Sequence, residues 1–189
     1  MYHIKDDKRS RASAQRLSEG LFMCLQSKDF SDISITDIQK AAGVGRATFY
    51  RLFDHVADIL IYQCDSILES VCQKSMKSTK HFTEEIIFSF IVIWMENDKL
   101  IKVIVSANRM DILYEAYQKR SEELKKILFP QMNIDESETD YLVASAISFI
   151  IGHLEVWIKH NKKESAEELM RVFKKSILLT QYALNSHPS

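Results

Sequence analysis

Residues 34–53, Ser-Ile-Thr-Asp-Ile-Gln-Lys-Ala-Ala-Gly-Val-Gly-Arg-Ala-Thr-Phe-Tyr-Arg-Leu-Phe, constrain the fold more than any other stretch of the chain. Ser34 has the chemistry of a helix N-cap, and Asp37 stands three residues on, as in a capping box. Gly43 falls where that first helix must stop, a position that favours the left-handed backbone glycine adopts without penalty. Gly45 then opens a second helix of about two turns. Two short helices joined by so tight a turn make a helix-turn-helix, a unit that lays its second helix in the DNA major groove.

The flanking sequence reads as helix throughout. Ala14, Leu17, Leu21, Cys24 and Leu25 form one apolar face of a helix predicted from about Lys8 to Ser27. Phe30, Ile33, Ile35, Ile38, Ala42, Val44, Phe49 and Phe53 extend its core. After a connection at Asp54–Val56, a fourth helix is expected over Asp58 to about Lys77, followed by a break at Thr79–Phe82. Further helices are read from Thr83 to about Glu96, from Asn97-Asp98 to about Asn108, and from Asp111 to about Phe129. Pro130–Asp135 is the clearest loop. Asp135 with Glu138 is expected to cap a helix reaching about His160, broken at Asn161-Lys-Lys. Ser165 with Glu168 caps the last, to about Leu184. The expected fold is all-α, with about nine helices and no strand.

Composition agrees. Four glycines and two prolines in 189 residues are too few for a turn-rich β fold. A net charge of −1 excludes a wholesale nucleic-acid binder. The local balance differs, because Lys8, Arg9, Arg11 and Arg16 make an arm free of acidic residues over 8–16 that suits phosphate. Cys24, Cys64 and Cys72 show no zinc spacing. Cys64 and Cys72 are about 12 Å apart along one helix, too far for a disulfide, so buried thiols in a reducing cytoplasm are expected. The N-terminal residues are polar, with no apolar leader. Ile86–Met95 is short and Tyr141–Ile158 is interrupted by Ser, His and Glu, so neither is read as a membrane span. His55, His81 and His160 show no metal spacing. With no nucleophile–base pair and no phosphate loop, neither an enzyme nor a cofactor is expected.

The run Ile-Thr-Asp-Ile…Ala-Gly-Val-Gly-Arg-Ala-Thr-Phe-Tyr-Arg-Leu-Phe resembles the DNA-binding domain of the TetR family of bacterial transcription regulators, over roughly residues 8–63. The remainder is similar only in length and helical character. The resemblance implies a helix-turn-helix domain over 1–56, with a linking helix to about 78. It implies a helical ligand-binding and dimerisation domain over 57–189. The implied protein is a cytoplasmic homodimer, most simply a repressor, that leaves a double-stranded operator when a small effector binds.

Arg46, Ala47, Tyr50 and Arg51 share one face of the second motif helix by i, i+3 and i+4 geometry. A guanidinium at Arg46 fits guanine O6 and N7. Ala47 permits close approach and contact with a thymine methyl. Tyr50, Arg51 and Thr48 suit phosphate, as do Lys40 and Arg11 outside the helix. Five positions depart from the family pattern: Asp29 for glycine, with a left-handed turn still expected there, Gln39 for a small residue, Gly45 for a serine cap, Leu52 for His or Asn, and Val56 for lysine. The last two remove backbone contacts, so an alternative is a TetR-like adaptor or co-activator acting through a protein partner.

Residues 141–158 are apolar nearly all round, so such a helix must be covered on more than one side. Ala144, Ser148 and Gly152, spaced by four, permit close helix approach. With Phe173, Ile177 and Leu178 they are the expected two-fold interface; the plainer alternative is a central helix of a monomer. Trp94, Arg109, Tyr114, Tyr117, Phe149 and His153 are candidates to line a cavity for a small apolar or aromatic effector, the alternative being ordinary core.

Overall fold

The computed structural model describes residues 1–77, 83–129 and 135–185. Among these residues are ten α-helices and no strand. They are α1 (Lys8–Cys24), α2 (Ile35–Ala42), α3 (Arg46–Leu52), α4 (Ala57–Lys77), α5 (Thr83–Glu96), α6 (Asp98–Ser106), α7 (Asp111–Lys119), α8 (Ser121–Leu128), α9 (Glu136–Lys159) and α10 (Ala166–Asn185). A 3-10 turn occupies Phe30–Asp32.

The tenth helix arises because Asp111–Phe129 is two helices rather than one. The chain breaks at Arg120 (φ −111°, ψ 18°). There the guanidinium is held by Glu123 at 3.1 Å and by Glu69, 51 residues away, at 3.2 Å. A break held by so distant a partner leaves no mark in local periodicity. α1 ends three residues early, at Cys24. Asp29 is extended (φ −70°, ψ 151°) and not left-handed. That conformation is open to any L-residue, so the turn needs no glycine. The expected break at Thr79–Phe82 and most of the loop at Pro130–Asp135 lie outside the described residues. Asp135 does precede α9, but its carboxylate accepts from the Ser137 hydroxyl at 2.6 Å and caps no backbone N–H.

The other caps form as the sequence predicts. Ser34 and Asp37 make a reciprocal capping box on α2, and Gly43 is left-handed at φ 61°, ψ 34°. Ser165 and Glu168 make the equivalent box on α10. Asn161 and Lys162, both at φ 58°, take the chain out of α9.

The described chain divides into two compact units, Met1–Leu68 with Val103–Lys119, and Glu69–Lys102 with Arg120–Ser189. In the first, α1 packs on α2 and α3. Its core includes Leu17, Leu21, Ile38, Phe49, Leu52, Phe53, Ile59 and Leu60, with Ile112, Ala116 and Tyr117 from α7. Phe30 is half-buried and Ile33 buried, closing the core from below. Gln39 keeps a buried Nε2 without a hydrogen-bond partner, the cost of that residue in a tight seam. In the second unit α5, α8, α9 and α10 pack together. Ile91, Trp94, Leu124, Ile150, Leu154 and Phe173 fill its centre. The Trp157 indole N–H donates to the Glu164 carbonyl at 3.1 Å.

By length and composition α9 does suffice to cross a membrane, contrary to the reading of Tyr141–Ile158 from sequence. Its apolar residues Val143, Ile147, Ile150, Ile151, Leu154 and Trp157 are instead packed into the core of the second unit.

Candidate nucleic-acid interface

The α2–α3 pair is assembled from the core outward. Phe49 and Leu52, on the inner side of α3, are fully buried. Phe49 meets Phe53 at 6.0 Å between ring centroids, and α3 packs on α1 and α2. With those two anchored, Arg46, Ala47, Tyr50 and Arg51 are all exposed and Thr48 is half-buried. Leu52 therefore contributes to the core and offers nothing to a phosphate.

Tyr50 is 45% exposed, and its ring and hydroxyl are both engaged by Arg46. The Arg46 guanidinium carbon lies 5.5 Å from its ring centroid, and Nη2 donates to the hydroxyl at 3.4 Å. A cation on an aromatic face restricts the arginine before any partner arrives. Lys40 is exposed on α2. Arg11 is exposed on α1 but is engaged by Asp6. Lys28, which the sequence reading passed over, pairs with Asp37 at 2.9 Å. Asp37 is held far below the usual carboxylate range, first by the Ser34 hydroxyl and then by Lys28. This corner thus carries a fixed negative charge that Lys28 offsets.

The arrangement is a short helix with two guanidiniums, a phenol and a small residue on one solvent-facing side, set over an aromatic core. Such a surface can pair with base edges and phosphates. Among the described residues no cluster of three or more metal-ligating side chains occurs. None of the three cysteines is in a disulfide, and burial pushes the Cys64 thiol up, which leaves it unreactive.

Solved structures share this fold. Lin0861 from Listeria innocua superimposes with a TM-score of 0.75 at 16% identity, over 94% of this chain and 96% of that one. A TetR transcriptional regulator from Streptococcus agalactiae gives 0.57 at 20% identity, over 88% and 94%. A TetR transcriptional regulator from Rhodococcus gives 0.61 at 14% identity, over 96% and 100%. The chain has the fold of the TetR regulators. No protein-family model matches the sequence, and no curated protein matches it. In the TetR fold α2 and α3 are the helix-turn-helix, and α1 to α3 bring all seven expected DNA-binding residues into the first unit.

The expected effector residues divide between the units. Arg109, Tyr114 and Tyr117 belong to the first, where Arg109 holds Asp111 bidentately at 2.8–3.1 Å, Tyr117 is buried and Tyr114 exposed. Trp94, Phe149 and His153 belong to the second. Trp94 is fully buried core. Phe149 and His153 line a cleft of about 580 Å³ on α9 and α10, together with Ser148, Gly152 and Trp157. His153 Nδ1 lies 2.6 Å from the Phe149 carbonyl and Nε2 3.3 Å from the Ser176 hydroxyl oxygen. Of the expected interface residues, Ala144, Ser148 and Ile177 are exposed and Gly152 half-buried. Phe173 is 2% exposed and packs inside its own unit against Phe149 and His153, at 6.1 and 5.3 Å.

Proposed function

We propose that the protein is a cytoplasmic DNA-binding transcriptional regulator, a homodimeric repressor that reads a pseudo-palindromic operator and is released by a small apolar or aromatic effector. The observation that carries the DNA reading is the outer face of α3. Arg46, Ala47, Tyr50 and Arg51 stand exposed together while Phe49 and Leu52 anchor the helix beneath them. Residues 1–56 would be the reading domain, with α4 as its linking helix to about 78, and 57–189 the regulatory and dimerisation domain.

Dimerisation is supported by an apolar surface no other described part of the second unit covers. Val156, Val172, Ile177, Leu178, Leu179 and Tyr182 are each 44–72% exposed on α9 and α10, beside the small residues Ala144, Ser148 and Gly152. A two-fold pairing there buries the same patch twice. The α9–α10 cleft shares Ser148 and Gly152 with that surface, and its Phe149, His153 and Trp157 walls suit a small aromatic effector. Such an effector acts only by binding one subunit arrangement better than the other.

A gel shift with a duplex from the upstream region of its own gene, at two salt concentrations, tests the reading. Specific binding weakened by Arg46→Ala is expected. Binding that ignores sequence, or none at all, overturns it. The second reading, an adaptor for a protein partner, draws on Leu52 being buried and Val56 half-buried, where phosphate contacts are absent. A stable hetero-complex without a DNA site would favour it, and a defined operator would exclude it.

A further inference from the structure

Residues 1–3 lie across the end of the recognition helix. Tyr2 pairs with Phe53, the C-cap of α3, in an isolated antiparallel bridge. The His3 N–H donates to the Leu52 carbonyl at 2.8 Å, and the Asp54 N–H donates to the Met1 carbonyl at 3.3 Å. The Tyr2 side chain reaches further. Its ring packs edge-on against Tyr62 of α4 at 5.5 Å, and its hydroxyl donates to Asp65 of α4. Lys119, at the end of α7, completes the cluster. Its ammonium donates to the Tyr2 hydroxyl, lies 3.9 Å from the Tyr2 ring centroid, and pairs with Asp65 at 3.1 Å. Asp65 is 5% exposed, so its charge is matched by neighbours rather than by water. All of these groups fall within the first unit.

We propose that Tyr2 and Lys119 are positioning residues, and that residues 1–3 form a strap holding the C-terminal end of α3 to α4 and α7. The geometry favours this over a passive terminal contact. The strap's backbone is bonded to Leu52, the last residue of α3, and to Asp54 just past its cap, while the Tyr2 side chain is bonded to two other helices. α3 has only seven residues and cannot set its own orientation. A strap that fixes its end limits the angles at which Arg46, Tyr50 and Arg51 are presented. Neither Tyr2 nor Lys119 needs to touch DNA. The consequence for affinity rests on the DNA reading above; the strap itself does not.

The test uses the full chain, carrying any tag at its C-terminus, as Tyr2→Ala, Tyr2→Phe, Lys119→Met and the Tyr2→Phe/Lys119→Met double variant. Amide hydrogen exchange without DNA is expected to rise several-fold at residues 3 and 52–54 in Tyr2→Ala, and less in Tyr2→Phe, which keeps the ring and the bridge. Binding to the upstream duplex is expected to weaken about five- to tenfold in Tyr2→Ala, the range in which one element biases another. The slope of affinity against salt should stay unchanged, because no phosphate contact is lost. Tyr2→Phe and Lys119→Met should be non-additive in the double variant. Unchanged exchange in all variants overturns the strap. A shallower salt slope in Lys119→Met makes Lys119 a phosphate contact and overturns its positioning role, as does full additivity. If the native protein binds no DNA, the DNA reading fails while the exchange contrast still decides the strap. Tyr2→Phe and Lys119→Met remain decisive if Tyr2→Ala does not fold.

Discussion

Gly20 of α1 is buried against α2 in the first unit. A Cβ built there would lie 2.9 Å from the Ile38 carbonyl oxygen and 2.9 Å from the Ala42 Cβ. Alanine gains about 1 kcal/mol of helix propensity over glycine, but overpacking against backbone costs about 1–3 kcal/mol. A carbonyl in a helix cannot step aside as a flexible side chain can, so the clash prevails. Gly20→Ala is expected to lower unfolding free energy by about 1–2 kcal/mol in urea titration. Unchanged stability would mean that α1 and α2 stand further apart than the structure has them. On α3, Arg46→Ala is expected to cost about 1–3 kcal/mol of operator affinity and to relax preference at one base pair, if the guanidinium reads a base. Tyr50→Phe removes the hydroxyl that Arg46 bonds but keeps the ring beneath it. Its loss should therefore be smaller, and a larger one in the same gel shifts would reverse that ordering.

Among the elements, α2 depends most on its cap. Ser34 accepts from the Asp37 N–H at 3.2 Å, and Asp37 accepts from the Ser34 N–H at 2.9 Å and its hydroxyl at 2.7 Å. Ser34→Ala is expected to cost about 1 kcal/mol, visible as a lower Tm. The pH dependence has a definite sign. The folded-state pKa of Asp37 is depressed, so its contribution is complete above the ordinary carboxylate range and fades as pH falls through the folded value. Asp37→Asn should therefore lose stability at neutral pH and flatten the acid limb of a stability profile. Parallel profiles for variant and native protein would show that the capping carboxylate is not responsible. The elements also show where periodicity stops being informative. The caps locate α2 and α10, but periodicity runs α7 and α8 together. Arg120 is an unremarkable helix former, and its Glu69 partner is 51 residues away.

For the whole molecule, the exposed apolar residues of α10 set the expectation. Leu178 is 64% exposed and makes no core. Leu178→Glu is expected to turn a dimer into a monomer in sedimentation velocity without changing helix content by circular dichroism. A native protein that sediments as a monomer at all concentrations would remove the two-fold proposal. The α9–α10 cleft has Trp157 in its wall, so an aromatic effector bound there should change tryptophan emission. That change should be much reduced in Trp157→Phe, since Trp94 is buried elsewhere in the unit's core. Equal responses from both proteins would place the ligand away from this cleft.

Helices that carry their own punctuation, and the outer face of α3, follow from short-range patterns in the chain. Gly43, Gly45, the Ser34–Asp37 pair and the alternation of Phe49 and Leu52 with Arg46, Tyr50 and Arg51 are all local, acting within one or two helical turns. The helix-turn-helix and its candidate reading residues were legible for that reason. Packing between distant residues accounts for the rest. It set the break at Arg120 and the division of the expected effector residues between two units. It also buried Phe173 beneath the surface it was expected to form. The strap is the extreme case: Tyr2 and Lys119 are 117 residues apart, and neither belongs to any pattern. Hydrogen bonds and ion pairs between distant residues depend on how helices pack, and packing is not encoded in the spacing of any single helix.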